Sequence, residues 1–126
     1  MKLLAGLTIL MIVFVVFGIH TQQQILGLAS DMQEMVPNIS REINNENWDA
    51  ARNDTARLLE QWNEIQDRWD LFIVHSEIEQ VELYIARILS YLSSEDKAAA
   101  LAELAALNTQ LSHIYRKEMF NVQNIF

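Results

Sequence analysis

The chain has 126 residues with three glycines, one proline and no cysteine, and its formal net charge is −8 at pH 7. The acidic balance disfavours nucleic acid and anionic lipid surfaces as partners, because both attract Lys and Arg. The lack of cysteine excludes disulfides, thiolate nucleophiles and cysteine-ligated zinc. So few glycines and prolines favour long helices joined by short turns, and the length suits a single domain.

Residues 3–19 form an uncharged apolar run with the sequence LLAGLTILMIVFVVFGI. As a helix the run would be about 26 Å long at about 1.5 Å per residue, which is close to the thickness of a bilayer core. Signal-peptide cores are shorter, so we predict an uncleaved membrane anchor at 1–19 and an acidic helical bundle domain at 20–126. Cleavage after Gly18 is the alternative, because Val16 and Gly18 fit the small-residue rule loosely.

The charges that flank this run predict its orientation. Lys2 and the amino terminus precede it, whereas the next Lys or Arg is Arg41. The positive-inside rule therefore places the N-terminus in the cytoplasm. We expect a single-pass protein of the cell membrane whose helical domain is extracytoplasmic.

Apolar residues recur at alternating spacings of three and four through the rest of the chain, which predicts amphipathic helices. The first stripe runs from Ile25 to Ile43 and keeps its phase across Pro37, which indicates one kinked helix rather than two helices. The asparagine-rich segment 44–47 then predicts a turn, since Asn side chains compete well for backbone donors.

The second stripe extends from Trp48 to Phe72 and carries three tryptophans on one face. Aromatic side chains of this size dominate a small core, so we interpret that face as bundle packing rather than a ligand-stacking cage. The third stripe runs from Val74 to Leu92 and ends at the polar segment 93–96. Since no glycine or proline separates the second stripe from the third, the boundary between them is the least defined.

The fourth stripe runs from Ala100 to Ile114, beside alanines that permit close approach of a neighbouring helix. The apolar residues of 119–126 are unlike a solvated tail, so we expect them to pack on the bundle. The pattern predicts an all-α fold in which an N-terminal transmembrane helix is followed by an antiparallel bundle of about four helices. The expected structural core comprises Trp48, Trp62, Trp69, Phe72, Ile78, Ile85, Leu104 and Leu111.

An internal repeat is suggested by comparing the two halves of the chain at an offset of 49 residues. At this offset apolar positions match apolar positions, as in Met32 with Val81 and Ile65 with Ile114. Two such α-hairpins can close into an up-down bundle or stack as in a tetratricopeptide solenoid. We favour the closed bundle, and the period is longer than the tetratricopeptide repeat of about 34 residues.

The histidines His20, His75 and His113 are the first candidates for metal chemistry. Neither Glu-x-x-His nor His-Glu-x-x-His occurs, which argues against di-iron and zinc sites. His75 with Glu79 or Glu82 could offer two ligands on adjoining helical turns, and His113 could add a third from a facing helix. A hydrogen-bonded histidine near a helix junction is the more ordinary interpretation, so we predict no metal and no cofactor.

Four polar side chains remain as candidates for interaction: His75, Glu82, Arg87 and His113. Glu82 and Arg87 both border the third stripe, so we expect an ion pair at the edge of the core that sets the bundle register. The chain has no Gly-x-Ser-x-Gly and no glycine-rich phosphate loop, and its serines fall where helix ends need caps. We therefore predict that the protein is not an enzyme.

A family resemblance rests on motifs between the second helix and the C-terminus. They are W-x-x-A at 48–51, Trp62, W-x-L-F-I-x-H-x-E-I at 69–78, A-L-A-E-L at 100–104 and the final N-I-F. With these motifs the chain resembles a bacterial family called domain of unknown function 4363, whose members usually end in N-I-L. The resemblance implies a small membrane-attached helical protein of a Gram-positive-type bacterium, and it implies no activity and no functional residues.

Two functions from different classes are consistent with these features. The first is a membrane-tethered interaction or structural module that binds another membrane or envelope protein. The alternative is an extracytoplasmic helical bundle that senses a small molecule and acts through a partner. Residues 3–19 make the membrane itself a partner in either case, and self-association into a homo-oligomer is open.

Overall fold

The structure, a computed structural model, describes the backbone of residues 1–69 and 75–125 and the side chains of residues 1–20, 23, 27, 30–67 and 76–117. Within these limits the chain forms four α-helices and no strand, which confirms the all-α prediction. They are α1 (Lys2–Asn44), α2 (Trp48–Trp69), α3 (His75–Ser93) and α4 (Lys97–Ile125). The predicted side-chain contacts of the second-to-third boundary and of the C-terminal residues lie outside the described residues.

Helix α1 joins the apolar run and the first bundle helix into one element of 43 residues. The sequence predicted two elements here, yet nothing between them breaks a helix, because Gln and Leu are good helix formers. Pro37 lies inside α1 and is exposed, so the backbone bond that it cannot make is on the solvent side of the helix. The helix continues through Pro37, as the phase of the stripe predicted.

The four helices close into a ring in chain order. Helix α1 contacts both α2 and α4, and α3 contacts both α2 and α4. The contact between α1 and α4 is the one that distinguishes a closed bundle from stacked hairpins. The closed antiparallel bundle expected from the sequence is therefore the observed architecture.

The core is a single cluster built from the predicted stripes. Of the side chains expected there, Trp62, Ile78, Ile85, Leu104 and Leu111 are at most 2 % exposed. Trp48 is partly buried and packs against the edge of the cluster, because it is the first residue of α2 and lies at the end of the bundle. The side chains of Trp69 and Phe72 lie outside the described residues.

The two hairpins repeat one another at the predicted offset. Every one of these pairs is buried in both halves: Met32/Val81, Val36/Ile85, Ile39/Ile88, Ile43/Leu92, Ala51/Ala100, Leu58/Leu107 and Ile65/Ile114. The two turns also match, since Glu46 (φ 58°) and Glu95 (φ 55°) both adopt the left-handed conformation. The offset therefore relates turn geometry as well as core register.

Both turns lie at the end of the bundle that is remote from the apolar run, which we call the distal end. The Arg52 guanidinium near the start of α2 donates to the carbonyl oxygen of Leu92 near the end of α3, at 3.2 Å. Closer to the opposite, proximal end, the Gln33 amide on α1 donates to the Ser112 hydroxyl on α4, at 2.6 Å. These two contacts fix which helix ends meet.

Candidate functional site

The apolar part of α1 is fully outside the bundle. Residues Lys2–His20 form one helical segment long and apolar enough to cross a membrane, and none of it is buried. Its large side chains, from Leu3 to Phe17, are between 38 % and 83 % exposed. The Thr8 hydroxyl donates to the Leu4 carbonyl oxygen at 2.8 Å, so this polar group is satisfied within the helix, as an apolar solvent requires.

The apolar segment and the bundle share one helix with no intervening turn. Among the described side chains, the first buried core residue of α1 is Met32, twelve positions after His20, which is a rise of about 18 Å along the helix. The first acidic residue of the chain, Asp31, lies on the same stretch. About three helical turns that carry no acidic or basic residue therefore lie between His20 and Asp31.

His113 is placed beside an acidic residue that the sequence analysis did not single out. Its Nε2 is 4.0 Å from Oε1 of Glu77, and Nζ of Lys117 is 3.1 Å from the same oxygen. Glu77 is 12 % exposed, whereas His113 is 62 % exposed. The three side chains tie the start of α3 to α4 near the proximal end, which is a structural role.

The prediction that Glu82 and Arg87 form an ion pair was wrong. Five residues along a helix turn a side chain by about 140°, so the two residues do not share a face. The Arg87 guanidinium instead lies 3.9 Å from the carboxylate of Glu103 on α4, and Glu82 is partly buried on α3. The Arg87–Glu103 pair joins neighbouring helices, which is the register role that was expected of Arg87.

His75 is the first residue of α3, and its side chain lies outside the described residues. The hypothesis that His113 could join His75 as a metal ligand from a facing helix is therefore not tested by the described residues. Among the described residues, no three His, Asp or Glu side chains are grouped as metal ligands would be.

A carboxyl cluster formed by Asn38, Glu42 and Asp54 lies between α1 and α2 towards the distal end. The Asn38 amide nitrogen donates to Oε1 of Glu42 at 3.3 Å and to Oδ2 of Asp54 at 3.1 Å. No amide, hydroxyl or cationic group of the described residues donates to Oε2 of Glu42, which is buried. Burial, followed by the hydrogen bond to Asp54 and its negative charge, raises the pKa of Glu42 from 4.5 to about 7.

Sequence reasoning missed this cluster, because Glu42 and Asp54 are twelve residues and one turn apart. Apolar periodicity assigns residues to faces of one helix and does not say which polar residues meet across two helices. The 49-residue offset carries a usable signal, since it aligns Asn38, Glu42 and Asp54 with Arg87, Tyr91 and Glu103. The cationic residue of the second hairpin is thus missing from the first.

Comparison with known proteins bears on the family and not on an activity. A family model described as Domain of unknown function (DUF4363) matches residues 19–125, which confirms the resemblance seen in the motifs. Neither the curated proteins nor the solved structures gave a match to the chain. The matched range includes the whole bundle and most of the chain, so the protein belongs to the family Domain of unknown function (DUF4363).

Proposed function

We propose that this protein is a membrane-tethered helical module whose bundle docks another membrane or envelope protein outside the cytoplasm. The observation that carries the proposal is the continuity of α1, which passes from an unburied apolar segment into the bundle core without a turn. A helix cannot bend freely as a loop does, so the bundle is held at a defined height above the segment. Partners in the same membrane then meet it at a raised local concentration.

The ion pairs between α3 and α4 are contacts within the bundle. The acidic residues Glu77 and Glu103 are engaged by cationic side chains of the neighbouring helix or are partly covered by them. These pairs stabilise the packing of α3 against α4. A partner would therefore be recognised on the outer faces of the helices, where the side chains are exposed.

The proposed orientation gives a direct labelling prediction. The chain has no cysteine, so Ala98→Cys on the exposed first turn of α4 would introduce the single reactive thiol. We expect a membrane-impermeant maleimide to label Ala98→Cys in intact cells as completely as in lysed cells, because the bundle lies outside. Labelling is measured as a mass shift of the purified protein.

The matched control for this labelling is Thr8→Cys, which places the thiol within the apolar segment. We expect this variant to react in neither intact nor lysed cells until the protein is denatured, because the segment is shielded by lipid. Labelling of Ala98→Cys after lysis alone would reverse the proposed topology. Labelling of Thr8→Cys in lysed cells without denaturant would contradict the membrane span.

The docking proposal is tested by affinity capture of the tagged full chain after mild cross-linking in cells. Two controls separate the contributions: a chain without residues 1–19, and a chain whose residues 1–19 are replaced by an unrelated transmembrane helix. A partner kept by the replaced helix and lost without any helix supports a tethered bundle that docks. Recovery of the protein alone contradicts docking to another protein and directs the work to ligand screening by thermal shift.

A further inference from the structure

The carboxyl cluster brings two acidic side chains together around one amide. One nitrogen, Nδ2 of Asn38, donates to both carboxylates, and Oε2 of Glu42 is buried with no other described group donating to it. An ionised oxygen in that position loses its hydration without compensation, whereas a protonated carboxyl can donate to the neighbouring carboxylate. We propose that the buried carboxyl of Glu42 keeps its proton and donates it to the Asp54 carboxylate across the contact between α1 and α2, and that this proton makes the distal end of the bundle a pH-sensitive latch.

The second hairpin shows how this chain builds the same position without the excess charge. At the 49-residue offset Arg87 replaces Asn38, and Glu103 replaces Asp54. There a guanidinium lies 3.9 Å from the carboxylate. In the first hairpin an uncharged amide replaces the guanidinium and Glu42 adds a second carboxylate. Because the backbone turn and the core register are the same in both hairpins, the difference lies in these side chains.

The positive charge of Arg41 lowers the pKa of Glu42, but burial and the contact with Asp54 raise it by more. Arg41 donates to the side-chain oxygen of Asn38. From α2, Arg57 is 3.6 Å from Oδ1 of Asp54, but its side chain is 72 % exposed and therefore screened by water. On α4 the charged residue at the level of Glu42 is Glu103, which faces Arg87 on α3. One proton on Glu42 therefore removes a repulsion from Asp54 that the exposed Arg41 offsets only in part.

The raised pKa of Glu42 determines the direction of the pH effect. Below pH 4.5 Glu42 is protonated in both the folded and the unfolded chain, so it adds no pH dependence. Between pH 4.5 and about 7 the folded chain holds a proton that the unfolded chain has lost, so stability falls as the pH rises. Above about pH 7 both states are ionised and the loss is complete. The contact between α1 and α2 at the carboxyl cluster is therefore more stable in acid and weaker at neutral to alkaline pH.

The size of the effect follows from the same shift. A displacement from 4.5 to about 7 corresponds to an increase of about two orders of magnitude in the unfolding equilibrium constant across the window. The inference rests on the bundle alone, so it holds whichever side of a membrane the bundle occupies and whichever partner it binds. Its failure and the failure of the proposed function are therefore distinguishable.

The first test is a titration of the full chain in non-ionic detergent micelles. Carbon-13 NMR of the glutamate side-chain carboxyls, with Glu42→Gln used to assign the resonance, reports the protonation of Glu42 directly. We expect a midpoint close to 7 for Glu42, and a return towards the ordinary range in Asn38→Arg, which rebuilds the cation of the second hairpin. A wild-type midpoint near 4.5 overturns the proposal, whatever the stability of Asn38→Arg.

The second test is the unfolding equilibrium constant of the same preparations between pH 4.5 and 8. We expect Glu42→Gln to lose most of the increase with pH that the wild type shows, since glutamine mimics the protonated carboxyl. Glu103→Gln is the matched control at the position equivalent to Asp54, and it should keep the wild-type pH dependence. An unchanged pH dependence in Glu42→Gln, or an equal loss in Glu103→Gln, overturns the proposal.

Discussion

Replacing Trp62 with alanine should destabilise the bundle by about 3–5 kcal/mol, which is the ordinary range for truncating a buried tryptophan. Trp62 is 1 % exposed and belongs to the central core cluster. The loss combines the buried apolar surface with the cavity that the surrounding side chains cannot fill by relaxing. The free energy of unfolding of the full chain, measured by chemical denaturation in detergent, checks this prediction.

Two further variants serve as controls for the alanine substitution. Trp62→Phe keeps most of the ring and removes the indole N–H, which is buried without a partner, so we expect a smaller loss than with alanine. Leu83→Ala truncates a side chain that is 48 % exposed, and its cost should be below about 1 kcal/mol. If Trp62→Ala were as mild as Leu83→Ala, the placement of Trp62 in the core would be wrong.

Apolar periodicity was sufficient to predict the helices and their buried faces. Ile85 and Leu111 were identified because each lies on a stripe of apolar residues that repeats every three or four positions. In water, a helix with such a stripe is stable when the stripe is buried against other helices. The turn at Glu46 and its equivalent at Glu95 follow from the same reasoning, since the stripe stops where polar residues cluster. The ring closure could be anticipated because two similar hairpins bury their open sides against each other.

The continuity of α1 was not predicted. The polar residues from His20 to Gln24 separate the apolar run from the first stripe, and a change of composition looks like a domain boundary. A helix, however, ends where its backbone is broken or capped, and this stretch contains no proline. Gly27 has open space where a side chain would be, so it is neither a turn nor a close contact. The polar stretch is a change of composition along one helix.

Polar contacts between helices were the second feature that the sequence did not predict. Arg87 could be assigned to the edge of the third stripe, but its partner Glu103 lies on another helix at a distance along the chain that no periodicity encodes. The same limit applied to Glu42 and Asp54. Such pairs depend on which helices are neighbours and on how far each helix is shifted along the other. Both are known only once the arrangement of the four helices in the bundle is known.

Charging the middle of the apolar segment should separate membrane attachment from folding. An arginine at the centre of a spanning helix costs about 2.5–3.5 kcal/mol, so the double variant Leu10→Arg/Met11→Arg should lose about 5–7 kcal/mol of insertion free energy. We expect this variant to move from the carbonate-resistant membrane pellet to the soluble fraction. The unfolding transition of its bundle should stay near that of the wild type, because no side chain of the segment packs on the core.

The conservative pair Leu10→Met/Met11→Leu is the control for this experiment, since it changes the same positions and should remain in the pellet. If the arginine variant stayed in the pellet with the control, attachment would have to come from the bundle surface, and the tether would be wrong. If it left the membrane and its bundle unfolded as well, the segment would contribute to folding. We expect the chain to leave the membrane while its bundle stays folded. This result would mean that the anchor and the bundle share one helix but that the bundle does not need the anchor for its stability.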